Sequence, residues 1–177
     1  MAHKHTRAFH SYGMTETASH VAIKQLYPLL EQYYTAIGNV RFTKDDRECL
    51  IINAPLLGTE NLITNDIIEL IDECKFKILG RIDDVINSGG IKIHPNQVEY
   101  KLAVHIKQRF FITGIHDEEL GEKVVLIVEG NKIAIENTFS HLNKYEVPRE
   151  THFIDLFEET HTKKVDKRLT LERLFGK

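Results

Sequence analysis

The sequence predicts an α+β protein: a small β-rich part followed by a compact α+β lobe with a three-stranded sheet and helices. Short β-branched and aromatic runs separated by turn residues fill the chain as far as Gly80. From Arg81 onward, strand and helix patterns alternate. This change divides the chain into residues 1–80 and 81–177. With 177 residues, 42% of them apolar, the chain is long enough to bury a core.

The first part begins with a polar turn at 11–17, and the apolar positions of 19–34 then allow either a strand or a helix. Between 39 and 80, runs such as 49–52 and 76–79 are rich in strand-forming residues. Asparagine, proline and glycine separate these runs. The spacing predicts a small antiparallel sheet or a partial barrel.

The second part opens with a helix. Pro95 suits a first helical position, and Val98, Leu102 and Ile106 recur every four residues. One apolar face therefore runs along a helix that extends to about Gln108.

Three strands and a terminal helix are predicted beyond it. Residues 110–115 and 124–128 are too short and too β-branched for helices, and 152–157 has the same character. Residues 169–175 favour a short helix at the end of the lobe.

A further helix is predicted between the second and third of these strands. Ile135, Phe139 and Leu142 would lie on one of its sides, Asn131 could cap its start, and Pro148 would stop it.

Composition excludes several classes of protein. A formal charge of -3 and a pI near 6.4 argue against a nucleic-acid or acidic-membrane partner, which would need a basic face. Cys49 and Cys74 form neither a disulfide framework nor a metal-spaced set, which fits a reducing compartment. No apolar run approaches the roughly 18 residues of a membrane span, and the N-terminus lacks a secretory signal. We expect a cytoplasmic protein.

The turn at 12–17 concentrates groups that suit a nucleotide. Tyr12 could stack on a base, Gly13 permits unusual backbone, Thr15 could donate to a phosphate or carboxylate oxygen, and Glu16 could ligate Mg²⁺. The alternative is a solvated turn with an incidental tyrosine.

Asp66 and Arg81 are candidate sugar ligands. The two oxygens of a carboxylate can accept from a ribose diol, and a guanidinium offers a rigid fork of donors to the same sugar or to a phosphate. An ordinary surface pair of Arg and Asp is the alternative.

Two later segments also carry candidate groups. Ser88, Gly89 and Gly90 precede a strand-like triplet, and such glycines allow either a plain β-turn or the close passage of a thin ligand. Lys164 lies in a basic cluster at 163–168, which is either a solvated loop or a source of charge for a developing phosphate or carboxylate anion.

These segments together resemble the later motifs of the adenylate-forming acyl-CoA synthetase superfamily in order and spacing. The matching stretches are 12–17, 64–66, 80–84, 88–95 with Val98 and Glu99, and 163–168, so they span nearly the whole chain. Within that superfamily, 11–24 and 52–55 resemble ligases that act on o-succinylbenzoate, which implies a place in menaquinone biosynthesis.

The resemblance implies roles for the first part of the chain. Tyr12 would stack on adenine beside Gly13, and Thr15 would contact the α-phosphate or the acyl carboxylate. Glu16 would bind Mg²⁺, and Asp66 and Arg81 would hold the ribose of ATP or AMP.

For the second part, the resemblance implies rotation and thioester formation. Asp83 occupies the hinge about which the lobe rotates, and Ser88, Gly89 and Gly90 would line the pantetheine tunnel for coenzyme A. Lys164 matches the lysine that neutralises charge during adenylation. The family usually has glycine at position 163 and at position 65, where this chain has Lys163 and Asn65.

Members of the superfamily are much longer, and their Ser/Thr/Gly-rich phosphate loop lies upstream of the Tyr-Gly motif. We therefore expect the end of the large domain in 1–80, the mobile lobe in 81–177, and a missing N-terminal half as partner. By itself the chain should not catalyse ligation. Residues 18–38 would then expose apolar side chains such as Val21, Ile23, Leu26 and Leu29, or self-associate through them.

Overall fold

A computed structural model describes residues 6–133, 135 and 138–176. The chain divides between Asp83 and Asp84 into two compact units. That division falls within the 80–84 segment that contains the predicted boundary. Each unit has its own sheet.

The first unit is built on one seven-stranded antiparallel sheet, in the order β1-β2-β3-β7-β6-β5-β4. Its strands are β1 (Ala8–Gly13), β2 (His20–Tyr27), β3 (Tyr34–Ala36), β4 (Arg41–Lys44), β5 (Cys49–Ala54), β6 (Thr59–Asp72) and β7 (Lys75–Arg81). The predicted β-rich character is confirmed. The ambiguous stretch at 19–34 contains β2 and the first residue of β3, and β2 joins the sheet between β1 and β3.

The core of this unit corrects one expectation. Val21 is fully buried, because β2 has neighbours on both sides and directs this residue into the cluster around Phe42 and Phe76. Ile23 is half-buried, whereas Leu26 and Leu29 are exposed. Within 18–38, the large exposed apolar side chains therefore lie after the middle of β2.

The second unit has a five-stranded sheet, two strands more than predicted. The strands are β8 (Ile86–Ser88), β9 (Ile91–Ile93), β10 (Phe110–Asp117), β11 (Gly121–Glu129) and β12 (Glu150–Ile154). The order is β10-β11-β8-β9, and β12 pairs with β11 in parallel. The three predicted strands are β10, β11 and β12, while β8 and β9 form an additional hairpin.

Both faces of this sheet are covered, because successive residues of a strand point to opposite faces. Val124, Leu126 and Val128 of β11 pack with the cluster that contains Val98 and Leu102 of α1 (Pro95–Leu102). The intervening residues of β11 join a second cluster, which includes side chains of α2 (Lys167–Phe175). The α+β lobe is confirmed, although α1 ends before the predicted Gln108.

The helix predicted between β11 and β12 is wrong for the described residues of that stretch. Residues 138–142 form turns, while 134, 136 and 137 lie outside the described residues. Ile135, Phe139 and Leu142 nevertheless pack against the core, so burial of apolar side chains explains their spacing.

Within the described part of the chain, no helix is long and apolar enough to cross a membrane.

Candidate functional site

Three of the residues predicted to bind nucleotide meet in the first unit. The Tyr12 hydroxyl donates to Asp66 Oδ2 at 2.5 Å, and Arg81 Nη1 lies 3.3 Å from Asp66 Oδ1. Asp66 and Arg81 are paired across β6 and β7, and β1 supplies Tyr12. The sheet therefore brings together residues that are 54 and 15 positions apart.

Packing holds Tyr12 in place. Its ring lies edge-on to Phe76 at 5.3 Å between centroids and is tilted against Tyr34 at 5.8 Å. Burial and the hydrogen bond to Asp66 raise the pKa of Tyr12 far above its ordinary value, so the phenol stays protonated and keeps donating. Sequence reasoning missed Tyr34 and Phe76, because an aromatic residue in a strand is ordinary core material.

The Asp66 carboxylate retains capacity for a ligand. Its side chain is 13% exposed, and among the described residues one oxygen accepts from Tyr12 and the other from Arg81. Since an ionised carboxylate has about four lone-pair positions, further donors can be accepted.

Asn65 also supports this cluster. It lies inside β6 without a positive φ. Its side-chain amide donates to Asp83 Oδ2 at 3.0 Å, and Arg81 Nη2 donates to the same oxygen at 3.1 Å. Asp83, the predicted hinge residue, is therefore tied to the strands that carry Asp66 and Arg81.

The turn after Tyr12 exposes its candidate ligands. Thr17 is fully buried, accepts from the Met14 N–H at 3.1 Å and donates to the Ser19 carbonyl at 2.7 Å. Thr15 and Glu16 are exposed as a result. Thr15 lines a shallow pocket of about 400 Å³. The other lining residues are Gly13, Met14, Ala18, Ser19 and His20.

Position 13 requires glycine because backbone atoms of Ser19 and His20 lie close to it. A Cβ atom at this position would lie 2.6 Å from the Ser19 oxygen and 2.9 Å from the His20 Cα. The glycine thus shapes the pocket wall through its missing side chain.

Glu16 is the candidate magnesium ligand at this turn. The described residues contain no group of three or more His, Cys, Asp or Glu side chains able to hold a metal. Mg²⁺ commonly takes one or two carboxylates together with waters and phosphate oxygens, so the exposed Glu16 carboxylate is compatible with that chemistry.

Gly89 and Gly90 form the turn of the β8-β9 hairpin in the second unit. Both have positive φ, 59° and 81°, and Ser88 pairs with Ile91 across the turn. Two consecutive residues of this kind are typical of the tight hairpin turn that favours glycine. The β-turn alternative is therefore present, and the turn is exposed.

Lys164 lies in a short closed loop of the second unit. The Thr160 N–H donates to the Lys164 carbonyl at 2.8 Å, and the Lys163 N–H donates to the Thr160 carbonyl at the same distance. Lys163 has φ 60°, a left-handed conformation that glycine adopts more readily than other residues. The Lys164 ammonium is exposed and has no ion-pair partner among the described residues.

Neighbouring residues of the basic cluster have structural contacts. Asp166 caps α2 by accepting from the Leu169 N–H at 3.0 Å, and Lys167 pairs with Glu99 of α1 at 3.2 Å. Arg168 pairs with Glu172. The Lys164 side chain is therefore exposed to solvent, while the contacts of its neighbours stabilise the loop.

No family model matches the chain. Curated proteins do match it. The 2-succinylbenzoate–CoA ligase of Geobacillus sp. (strain WCH70) is 28% identical over 186 residues, covering 83% of this chain and 37% of the relative. A mitochondrial medium-chain acyl-CoA ligase of Danio rerio is 33% identical over 118 residues, covering 62% of this chain and 20% of the relative. The homologues of this chain are acyl-CoA ligases of the AMP-binding superfamily.

Solved structures agree with this relationship. An AMP-forming acyl-CoA synthetase-like protein from Dyadobacter fermentans is 35% identical, with a TM-score of 0.51, over 95% of this chain and 51% of that protein. The o-succinylbenzoate coenzyme A synthetase of Bacillus subtilis, solved with ATP and magnesium, is 20% identical to this chain and has a TM-score of 0.76. The shared fold covers 93% of this chain and 41% of the synthetase chain. The chain spans 20 and 37% of the two curated relatives above.

Proposed function

We propose that this chain is the C-terminal part of an ATP-dependent acid–CoA ligase. The parent enzyme would join a carboxylate to the α-phosphate of ATP with release of diphosphate, and would then transfer the acyl group from this acyl-adenylate to the thiol of coenzyme A with release of AMP. The cluster of Tyr12, Asp66 and Arg81 carries this proposal, because it assembles an aromatic ring, a carboxylate and a guanidinium in one place of a chain whose relatives are such ligases.

In this proposal the first unit binds the nucleoside monophosphate. Asp66 would accept from the ribose hydroxyls with the lone pairs that Tyr12 and Arg81 leave open. The half-buried Tyr12 ring would contact adenine, and Thr15 would donate to the α-phosphate or the acyl carboxylate. Glu16 would contribute one ligand to Mg²⁺, whose charge would offset that of the phosphates.

The second unit would supply groups to the two half-reactions in turn. Lys164, exposed on a closed loop, would neutralise charge during adenylation. Ser88, Gly89 and Gly90 would line the passage for the pantetheine arm of coenzyme A. Asp83, the last residue of the first unit, would be the hinge between the two states.

We propose o-succinylbenzoate as the acyl substrate, with a role in cytoplasmic menaquinone biosynthesis. A 2-succinylbenzoate–CoA ligase among the relatives supports this substrate, while a medium-chain acyl-CoA ligase supports an alternative aryl or fatty acid. A third possibility is a lobe that binds nucleotide or coenzyme A without catalysis.

A pyrophosphate-exchange panel tests the substrate. The chain would be assayed alone and joined to the upstream segment that the proposal requires, with o-succinylbenzoate, benzoate and octanoate. We expect exchange only in the joined protein and mainly with o-succinylbenzoate. Preference for another acid would mean that this acid, and not o-succinylbenzoate, is the substrate. Turnover by the 177-residue chain alone would contradict the proposal of a missing half.

A further inference from the structure

The segment at 157–165, which we call the Lys164 loop, is anchored at both of its ends. Phe157 is 3% exposed within the apolar cluster that includes side chains of α2, and Val165 packs against the same cluster. Glu159 pairs with Val165 in an isolated antiparallel bridge. Burial therefore fixes the two ends of the loop, whereas Lys163 and Lys164 between them are exposed.

Thr160 sets the backbone position of Lys164. The Thr160 N–H donates to the Lys164 carbonyl at 2.8 Å, and the Thr160 hydroxyl accepts from the Lys164 N–H at 3.2 Å. The Lys163 N–H donates to the Thr160 carbonyl at 2.8 Å. Since Thr160 directly follows Glu159, a restraint on Glu159 is passed through one peptide bond to the residue that holds Lys164.

An arginine outside the loop supplies such a restraint. Arg109 Nη1 donates to Glu159 Oε1 at 2.5 Å, although the two residues are 50 positions apart in the chain. Arg109 directly precedes β10, which begins at Phe110. The ion pair therefore ties the Lys164 loop to the sheet of the second unit.

The end of β11 holds the Arg109 guanidinium in a fixed orientation. Arg109 Nε lies 2.8 Å from Glu129 Oε2, and Nη2 donates to Glu129 Oε1 at 2.9 Å. The same Glu129 oxygen accepts from the Phe157 N–H at 2.8 Å, and the guanidinium carbon lies 5.5 Å from the centre of the Phe157 ring. A bidentate pair between arginine and a carboxylate has a defined geometry, so the remaining donor is directed at Glu159 in advance.

The ion pair adds little to the stability of the whole unit. The side chains of Arg109 and Glu159 are 45 and 34% exposed, and pairs of this kind contribute at most about 1 kcal/mol. Local opening of an exposed loop also costs little free energy, so a contribution of this size can decide how ordered the loop is. Removal of the pair should therefore loosen the Lys164 loop without unfolding the second unit.

We propose that Arg109 and Glu159 are positioning residues for Lys164, which hold its loop against the sheet so that the ammonium is presented in one place during adenylation. This inference rests on the proposed role of Lys164 in the first half-reaction. A charged group stabilises a transition state best when it is already in position, and a displacement of about 1 Å can cost a large part of the rate. Thioester formation, in which Lys164 has no proposed role, should not depend on the pair.

The order of the loop is measured first, in the 177-residue chain. Glu159→Ala removes the pair and leaves Arg109 bound to Glu129, so the substitution leaves no unpaired arginine. NMR relaxation of the Lys163 and Lys164 amide nitrogens reports their order parameters. We expect values near about 0.85 in the unmodified chain and below about 0.6 in Glu159→Ala.

Glu172→Ala is the matched control for this substitution. It removes a glutamate of the same unit that forms an ion pair with Arg168 on α2, away from the Lys164 loop. The order parameters of Lys163 and Lys164 should be unchanged in this control. Chemical denaturation checks that both variants are folded before the amides are compared.

Assays of the two half-reactions in the complete enzyme give the functional result. Glu159→Ala should lower the rate of adenylation roughly tenfold, because a loosened loop reaches the productive position only part of the time. Thioester formation from preformed acyl-adenylate should keep its rate, and Glu172→Ala should change neither half-reaction. When Glu159→Ala is combined with Lys164→Ala, no further loss is expected, because the ammonium that the pair positions is already absent.

Three results would each overturn the proposal. The first is equal order of the Lys164 amide in Glu159→Ala and the unmodified chain. The second is an equal fall of both half-reactions, which a merely structural role would produce, and the third is a loss of rate that adds fully to that of Lys164→Ala. Failure of the proposed function itself has a different signature, since Lys164→Ala alone would then leave adenylation unchanged.

Discussion

At the scale of single residues, backbone conformation explains positions that composition leaves open. The sequence marks Gly13 as a permissive residue of a turn, but only the fold reveals that the Ser19 and His20 backbone lies against it. Likewise the resemblance to adenylate-forming enzymes implies that Tyr12, Asp66 and Arg81 converge, whereas their support by Tyr34 and Phe76 depends on strand pairing. Contacts between distant strands are set by sheet register, which a single sequence does not encode locally.

Gly13→Ala should destabilise the chain by about 2 kcal/mol, because the added methyl group would overlap backbone atoms that cannot move independently. Chemical denaturation measures this change in the free energy of unfolding. Ser11→Ala, on the same strand and exposed, is the control and should be neutral. Equal stability of Gly13→Ala and the unmodified chain would refute the close approach.

Lys163→Gly should stabilise the chain by about 1 kcal/mol, because glycine adopts a left-handed backbone without steric penalty. The denaturation midpoint should rise. Lys163→Val should lower it, since a β-branched residue is poorly tolerated at positive φ. A fall in the midpoint with glycine would contradict the conformation described for this loop.

At the scale of elements, strands are predicted better than the connection between β11 and β12. The apolar spacing of α1 is helical and its face is buried, as Val98 and Leu102 show. Ile135, Phe139 and Leu142 have similar spacing, yet the described residues at 138–142 form turns. The spacing of apolar residues predicts which side chains are buried. A series of turns packed on the core can bury the same side chains without forming a helix.

The ion pair between Lys101 and Glu146 joins α1 to this connection, and it predicts a pH dependence. Burial alone would raise the pKa of Glu146, but hydrogen bonds from Lys101 and from the Asn143 N–H hold it below its ordinary 4.5. The pair therefore stabilises the fold above pH 4.5, and this contribution is lost as pH falls through the lowered pKa.

Glu146→Gln should cost about 1 kcal/mol at neutral pH and should reduce the loss of stability in acid. Denaturation at a series of pH values below neutral measures both effects. Glu118→Gln, at an exposed position, serves as the control and should leave the profile unchanged. Parallel acid profiles for Glu146→Gln and the unmodified chain would be inconsistent with a stabilising pair.

At the scale of the whole molecule, the division between Asp83 and Asp84 separates the proposed nucleotide contacts from Lys164 and from the glycine hairpin. The sequence predicts this division through a change of pattern near Arg81, because both α-helices of the described residues lie in the second unit, while strands dominate the first. We propose that the second unit moves as a lobe between the two half-reactions. Measuring the rate of each half-reaction separately tests this motion.

Lys164→Ala in the complete enzyme should lower the rate of adenylation by roughly 10²- to 10³-fold, the usual effect of removing one stabilising donor. Thioester formation from preformed acyl-adenylate should persist. Rapid-quench assays of each half-reaction measure the two rates, and Lys107→Ala is the matched control. An equal fall in both rates would argue against separate states of the second unit.

The central claim is that Tyr12, Asp66 and Arg81 form a site for a nucleoside monophosphate. Titration of the chain with AMP, followed by amide and arginine NMR signals, tests it most directly. We predict saturable shifts at these three residues, weakened by Asp66→Asn and kept in Asp46→Asn, a matched change at an exposed turn. The absence of saturable shifts there, or shifts that Asp66→Asn leaves intact, would contradict the claim.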